Sequence, residues 1–160
     1  MGEVESRRGE AEGDVLRAAH VLEYPYSRSV GPVLGRFFTA MREGRFEGVE
    51  GDGGRVLMPP AEYDPDSSRP TGGPVALPDT GVVTTWTWVA EPCPGHPLDR
   101  PFAFALVRLD GADTALLHAV DAGSPAAMSS GMRVRARWRG QAERVGHVAD
   151  VECFVPEVGR

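Results

Sequence analysis

The sequence predicts a mainly β protein, a small closed barrel of five strands preceded by one helix and one hairpin. Three observations carry this. Between Gly81 and Asp121 three strand-like runs, Val82 to Val89, Phe102 to Leu109 and Ala115 to Val120, are separated by turn-rich breaks. Farther on, Gly131 to Arg139 alternates with a period of two, and Val148 to Val155 forms a last apolar run. Before all of these, Val33, Leu34, Phe37, Phe38 and Met41 recur at the three-to-four spacing of a helix face.

Composition bounds the answer. With 160 residues, 17.2 kDa and 41% hydrophobic content, the chain can bury a real core. A net charge of -6 and a pI near 5.2 argue against binding nucleic acid through the overall field. No run approaches the roughly 18 apolar residues of a membrane span, and the N-terminal MGEVESRRGEAEGD lacks the apolar stretch of a secretory signal. A cytoplasmic protein is expected. Cys93 and Cys153 are too few for a disulfide framework or a four-thiolate zinc site.

In chain order, residues 1–23 read as a flexible tail, 24–78 as a helix with a hairpin and loop, 79–156 as the barrel, and 157–160 as a short C-terminal tail. Ser29 can cap the helix, Pro32 fits its first turn and Gly44 supplies the stop. The helix stripe either packs on its own domain or leaves part of itself to a partner protein. Short strands at Phe46 to Val49 and Arg55 to Met58 around GDGG make a hairpin, which must lean on something else to be stable. Proline, aspartate, serine and glycine then make Ala61 to Pro78 a long loop.

The barrel segments follow from the same rules. Asp110-Gly111 is a hairpin step between the second and third runs. In the fourth, Met132, Val134, Ala136 and Trp138 share one face and Arg133, Arg135, Arg137 and Arg139 the other. DAGSPAAMSS before it holds a turn, and Pro156 stops the last strand. Trp86 and Trp88 fall on one side, so at least one belongs to the core. Five strands at this spacing suit a small barrel of the OB type.

Few residues read as chemistry. The four histidines, His20, His96, His118 and His147, have no metal-ligand spacing, and His118 in a strand reads as a packed histidine. Cys93 and His96 in EPCPGHP would act as nucleophile and base only if held in hydrogen-bond reach, and a small cysteine hydrolase is the weakest of the functions considered. Cys153 alternates with Val151 and Val155 as a core residue. No nucleophile elbow, phosphate loop, dinucleotide fingerprint or paired catalytic carboxylate motif occurs. Four arginines on one strand face repel unless water, carboxylates or a polyanion covers them. Solvent and the chain's own acids are the simplest cover, and phosphates of a ligand such as coenzyme A, held by Arg133, Arg135 and Arg137, are the alternative.

The order of helix, glycine-turn hairpin, Pro59-Pro60 and a sheet carrying GVVTTWTWV, PFAFALVRLDG and GMRV resembles acyl-CoA-associated proteins that join a rubredoxin-like zinc ribbon to an OB-fold. The resemblance spans roughly residues 24 to 156. In that family the ribbon reads Cys-x-x-Cys-Gly, Pro-Pro, Cys-Pro-x-Cys. Glu50, Gly53, Asp64 and Ser67 stand at the matching positions, with Gly54, Pro59, Pro60 and Pro65 around them, so a degenerate, metal-free hairpin is expected.

The resemblance implies a non-catalytic accessory subunit of a thiolase-superfamily, lipid-transfer-protein-like aldolase. The complex would perform retro-aldol cleavage of steroid or other bulky acyl-CoA side chains. It implies no tightly bound cofactor, an acyl-CoA shared with the partner enzyme, and neither nucleic acid nor membrane as partner. Val33, Leu34, Phe37, Phe38 and Met41 would contribute to the partner surface, with no catalytic or metal residues on this chain. The alternative is a stand-alone OB-fold module binding acyl-CoA or single-stranded nucleic acid.

Overall fold

The computed structural model describes residues 20–157. Most of the expected tails, residues 1–19 and 158–160, therefore lie outside the described residues. Residues 20–30 form neither helix nor strand and are exposed along their length.

Helix α1 spans Gly31–Arg42, with Pro32 in its first turn as the fixed φ of proline favours. The expected cap is displaced by one residue: Val30 occupies the N-cap position without a side-chain cap bond, and Ser29 Oγ accepts the Gly31 N–H at 3.3 Å. At the other end Gly44 takes a φ of 76° and donates its N–H to Met41 O at 2.9 Å. A residue with a Cβ resists that left-handed conformation, so the predicted stop holds.

The hairpin has three strands rather than two. β1 (Phe46–Glu50) pairs antiparallel with β2 (Val56–Leu57) across a short 3₁₀ turn at Asp52–Gly54. On its other edge β1 pairs with β3 (Pro74–Leu77), giving the order β2-β1-β3. Residues 74–77 fall inside the loop expected over Ala61 to Pro78 from its proline, aspartate, serine and glycine content. Pairing with β1, and not local propensity, makes them a strand.

β4 (Thr80–Val89), β5 (Phe102–Leu109), β6 (Leu116–Val120), β7 (Arg133–Trp138) and β8 (Val151–Pro156) close into a barrel in the order β4-β5-β6-β8-β7. Every pairing is antiparallel except β6 with β8. The last run is shorter than its sequence suggests. Val148–Asp150 forms a 3₁₀ turn, in which the Asp150 carboxylate accepts the N–H groups of Val145, Gly146 and His147.

One apolar core joins the three parts. Phe37 and Met41 of α1, Phe46 and Met58 of the ribbon and Val83, Val107, Val134 and Phe154 of the barrel belong to a single cluster. Phe46 reaches across the junction, with its ring centroid 4.7 Å from that of Trp138 and 6.2 Å from that of Phe154. The hairpin thus leans on the barrel, as a sheet this small requires. Trp86 and Trp88 are both half-buried against the same cluster. Among the described residues no helix is long and apolar enough to cross a membrane.

Candidate functional site

Four places in the molecule bear on function. The first is the centre of the ribbon, where the turn at 50–55 faces the turn at 63–70. Asp64, only 2% exposed, lies between them. Its Oδ1 accepts the N–H groups of Asp66 at 2.9 Å and Ser67 at 3.0 Å, while Oδ2 accepts Asp52 N–H at 3.0 Å and the Arg55 guanidinium at 3.0 Å. The Ser67 amide, joined by those of Asp52 and Asp66 and by Arg55, holds this carboxyl well below the usual carboxylate range despite its burial. A Cβ on Gly51 would stand 2.6 Å from Asp64 Oδ2, so glycine lets the first turn close on the carboxylate.

The residues at the family's thiolate positions do not fit a zinc ion. Glu50 is exposed, Gly53 has no side chain, and both oxygens of Asp64 are already engaged by hydrogen-bond donors. Among the described residues no group of three or more His, Cys, Asp or Glu side chains is placed to hold a metal ion. The Asp64–Arg55 pair joins the two turns instead. The missing thiolates are visible in the sequence, whereas the part Asp64 takes in closing the ribbon is not among its expectations. The local signal for that part is DPDSS, an aspartate followed by turn residues whose amides it can collect.

The second place is the arginine face of β7. Arg133 binds both oxygens of Asp110, at 2.6 and 2.7 Å, and meets Glu157 at 3.2 Å. Arg135 reaches Asp79 at 2.8 Å and Glu157 at 2.9 Å, and Arg137 is shared between Glu152 and Asp121. Arg139 donates to Ala149 O at 2.7 Å. The Arg133 guanidinium, helped by the Thr80 hydroxyl, pulls Asp110 down to about 2. Arg100 and then Arg137 lower Asp121, and Arg135 and then Arg133 lower Glu157. Arg133, Arg135 and Arg137 are thus paired within the chain, and a phosphate would have to displace carboxylates to reach them. Those acids come from neighbouring strands and turns, so the strand's own sequence does not announce them.

The third place is the helix stripe. Phe37 and Met41, 3% and 0% exposed, are spent on the chain's own core. Val33, Leu34 and Phe38 are half-buried, so only these three of the five can present area to another protein. Val33 also lines a cleft of about 110 Å³ between α1 and the ribbon, with Pro32, Arg36, Glu47, Pro60 and Pro74.

The fourth place is the barrel end where the β4–β5 loop approaches the segment before β8, the face on which OB barrels commonly take ligands. Pro97, Phe104, Leu117, Ala119, Val148 and Val151 line a cleft of about 190 Å³ there. His118 beside it is buried against Phe154, with Nε2 donating to Val148 O at 3.2 Å, and is the packed histidine its strand position predicts. Burial pushes its imidazole below the usual value, outweighing the backbone carbonyls that favour the charged form. Cys93 and His96 are brought together, the thiol sulfur 3.5 Å from Nε2. Cys153 is wholly buried, and burial pushes its thiol up to about 11. His20 and His147 are not joined to any of these sites, although His147 Nδ1 accepts the Ala149 N–H in its own turn.

A closed barrel with this strand order and one parallel pairing defines an OB-fold protein. Residues 74–139 match the family model of ChsH2, C-terminal OB-fold domain. Two solved structures share the fold. A component of the Ltp2-ChsH2(DUF35) aldolase is 22% identical, with a TM-score of 0.58 over 82% of this chain and 100% of that one. A DUF35-family protein of unknown function from Sulfolobus solfataricus is 20% identical, with a TM-score of 0.54 over 67% of this chain and 77% of the other. No curated protein matches the chain.

Proposed function

We propose that this chain is the non-catalytic accessory subunit of a thiolase-superfamily, lipid-transfer-protein-like aldolase. In this reading the complex performs retro-aldol cleavage of steroid or other bulky acyl-CoA side chains in the cytoplasm, and the acyl-CoA is shared with the enzyme subunit. The observation that carries it is the match of residues 74–139 to the ChsH2 OB-fold domain model, supported by the structural match, over 82% of this chain and 100% of the other, to a component of an aldolase of two named parts. The described residues add a physical reason. Their polar side chains are largely committed to holding the fold, Asp64 within the ribbon and the β7 arginines outside the barrel. Chemistry on a substrate then falls to the partner, and this chain supplies shape.

Val33, Leu34 and Phe38 on α1 form the partner surface in this proposal. The β7 arginines would touch coenzyme A phosphates only as an exchange of one anion for another, so the main phosphate contacts belong to the enzyme. Co-expression with a thiolase-like protein should yield a stable hetero-oligomer whose aldol cleavage needs both chains. A chain that stays alone on size-exclusion chromatography, and leaves the activity of such enzymes unchanged, defeats the proposal.

A further inference from the structure

Of the alternating arginines from Arg133 to Arg139, the last is left over from the network outside the barrel. Arg133, Arg135 and Arg137 each meet carboxylates, whereas Arg139, among the described residues, meets none. Its Nε donates to Ala149 O at 2.7 Å, which pins the guanidinium against the segment before β8 and leaves the terminal nitrogens for another acceptor. Arg139 is exposed and lines the 190 Å³ cleft. The acids nearby are already engaged. Glu152, also on the cleft wall, is held by Arg137 at 3.0 Å, and the Asp150 carboxylate is taken up by the amides of its own turn. His118, the remaining titratable group on the wall, is kept neutral near pH 7 by burial. One positive charge thus stands without a counter-charge at the edge of an apolar hollow.

The hollow itself selects the rest of the ligand. Its walls are Pro97 from the β4–β5 loop, Phe104 and Leu117 from the sheet, and Val148 and Val151 from the segment leading into β8. Leu117 is 61% exposed and lies directly across from Leu106, which is also exposed, so the apolar surface continues past the cleft along β5 and β6. Large apolar side chains left in water on one face mark a surface that another apolar body covers. The cleft is smaller than the roughly 300–1,000 Å³ that encloses a drug-sized molecule, so it takes a hydrocarbon chain or a small ring system. Oligonucleotides, which some OB barrels bind on this face, need aromatic platforms where this one presents leucines, and more cations than one.

We propose that this cleft binds the free carboxylate form of an apolar acid. The carboxylate accepts a bidentate pair of hydrogen bonds from Arg139, and the hydrocarbon lies against Phe104, Leu117 and Val148. An arginine fork whose Nε is already fixed matches the spacing of the carboxylate oxygens and loses little freedom on binding. A carboxylate fits better than a phosphate monoester, because a single guanidinium balances one negative charge and a second would have no cation left to offset it. The site is on the barrel, apart from Val33, Leu34 and Phe38 of α1, and does not depend on the subunit reading.

Calorimetric titration of the full-length protein at low ionic strength with octanoate, acetate and 1-octanol separates the parts of the site. Octanoate should bind saturably. Acetate, which has the charge without the chain, should bind about tenfold more weakly, the effect of losing roughly two buried methylenes. 1-Octanol, which has the chain without the charge, should also bind about tenfold more weakly. Arg139→Gln should lower the octanoate affinity to that of the alcohol and leave 1-octanol binding unchanged, which also shows that the cleft is still formed. Leu117→Ala, at an exposed position, should weaken octanoate and 1-octanol alike, by roughly threefold. No saturable octanoate binding, equal affinity for octanoate and 1-octanol in wild type, or an unchanged octanoate affinity in Arg139→Gln would each overturn the assignment. Loss of both probes in Arg139→Gln would make Arg139 a support of the cleft wall and not the partner of the anion, and would overturn it too. So would tighter binding of a short single-stranded oligonucleotide than of octanoate. A chain that binds octanoate but joins no thiolase-like enzyme keeps this site and loses the subunit reading, and the reverse result does the opposite.

Discussion

The ribbon and the barrel use charge in opposite ways. In the ribbon one carboxylate, Asp64, is buried and gathers donors from both turns, so the charge is the organising centre of the unit. On the barrel, Arg133, Arg135 and Arg137 lie outside a closed apolar core and trade hydrogen bonds with acids across strands and turns. Removing a partner from a buried charge leaves the rest unsatisfied in a poor solvent, whereas an exposed pair falls back on water. A small sheet without a metal needs the first arrangement. A barrel that already buries its apolar side chains needs only the second.

This contrast yields a ranked set of outcomes. The largest effect belongs to Phe46→Ala, which opens a cavity where ribbon and barrel share a core and should cost about 3–5 kcal/mol. A denaturant titration reads this, and one cooperative transition in wild type would show that the two regions unfold together. Next comes Asp64→Asn. Its amide NH₂ cannot accept from the Asp52 amide or from Arg55, and Tm should fall by on the order of 10 °C. Chelators should leave the wild-type Tm where it is. A chelator-induced loss would mean that a metal, and not Asp64, centres the ribbon.

A smaller effect concerns pH. The His118 imidazole is held below its unfolded value of 6.5, so the unfolded chain binds more protons just below that pH. Stability should thus be fully present above about pH 6.5 and decline as pH falls below it. The lowered carboxylates, Asp64, Asp110, Asp121, Asp150 and Glu157, lose their contributions only in more acidic solution, because each titrates below its ordinary value. His118→Gln should flatten the dependence of Tm between pH 5 and 6.5, the upper bound being the unfolded histidine value. An unchanged slope would assign it to another group. The smallest effect is expected from Arg135→Ala, where exposed pairing limits the loss of Tm to about 2–4 °C. A larger fall would place the arginine face among the features that hold the barrel closed.

Most of the barrel was legible in residue order. Phe102–Leu109 has the predicted bounds, and β4, β6, β7 and β8 differ from expectation only at their ends. Alternation with a period of two is a local property, imposed by a strand whose faces meet different solvents. The helix and its glycine stop were legible for the same reason. β3 was not, since PVAL becomes a strand only beside β1. The candidate site divides in the same way. The residue types were in view, including the arginine alternation, the missing thiolates and the Cys93–His96 spacing. Their partners were not.

By itself, then, the sequence determined the class of fold, the strand faces and the absence of four thiolates at residues 50, 53, 64 and 67, because periodicity and residue chemistry act over a few neighbours. Only the tertiary structure decided that Asp64 and Arg55 would join the ribbon, that five acids would cover the β7 arginines, and that Phe37 and Met41 would be spent on the core. Each of those outcomes pairs residues from different turns or strands. The energy of a charge or an apolar side chain depends on what folding brings against it, and no local window of residues contains that partner.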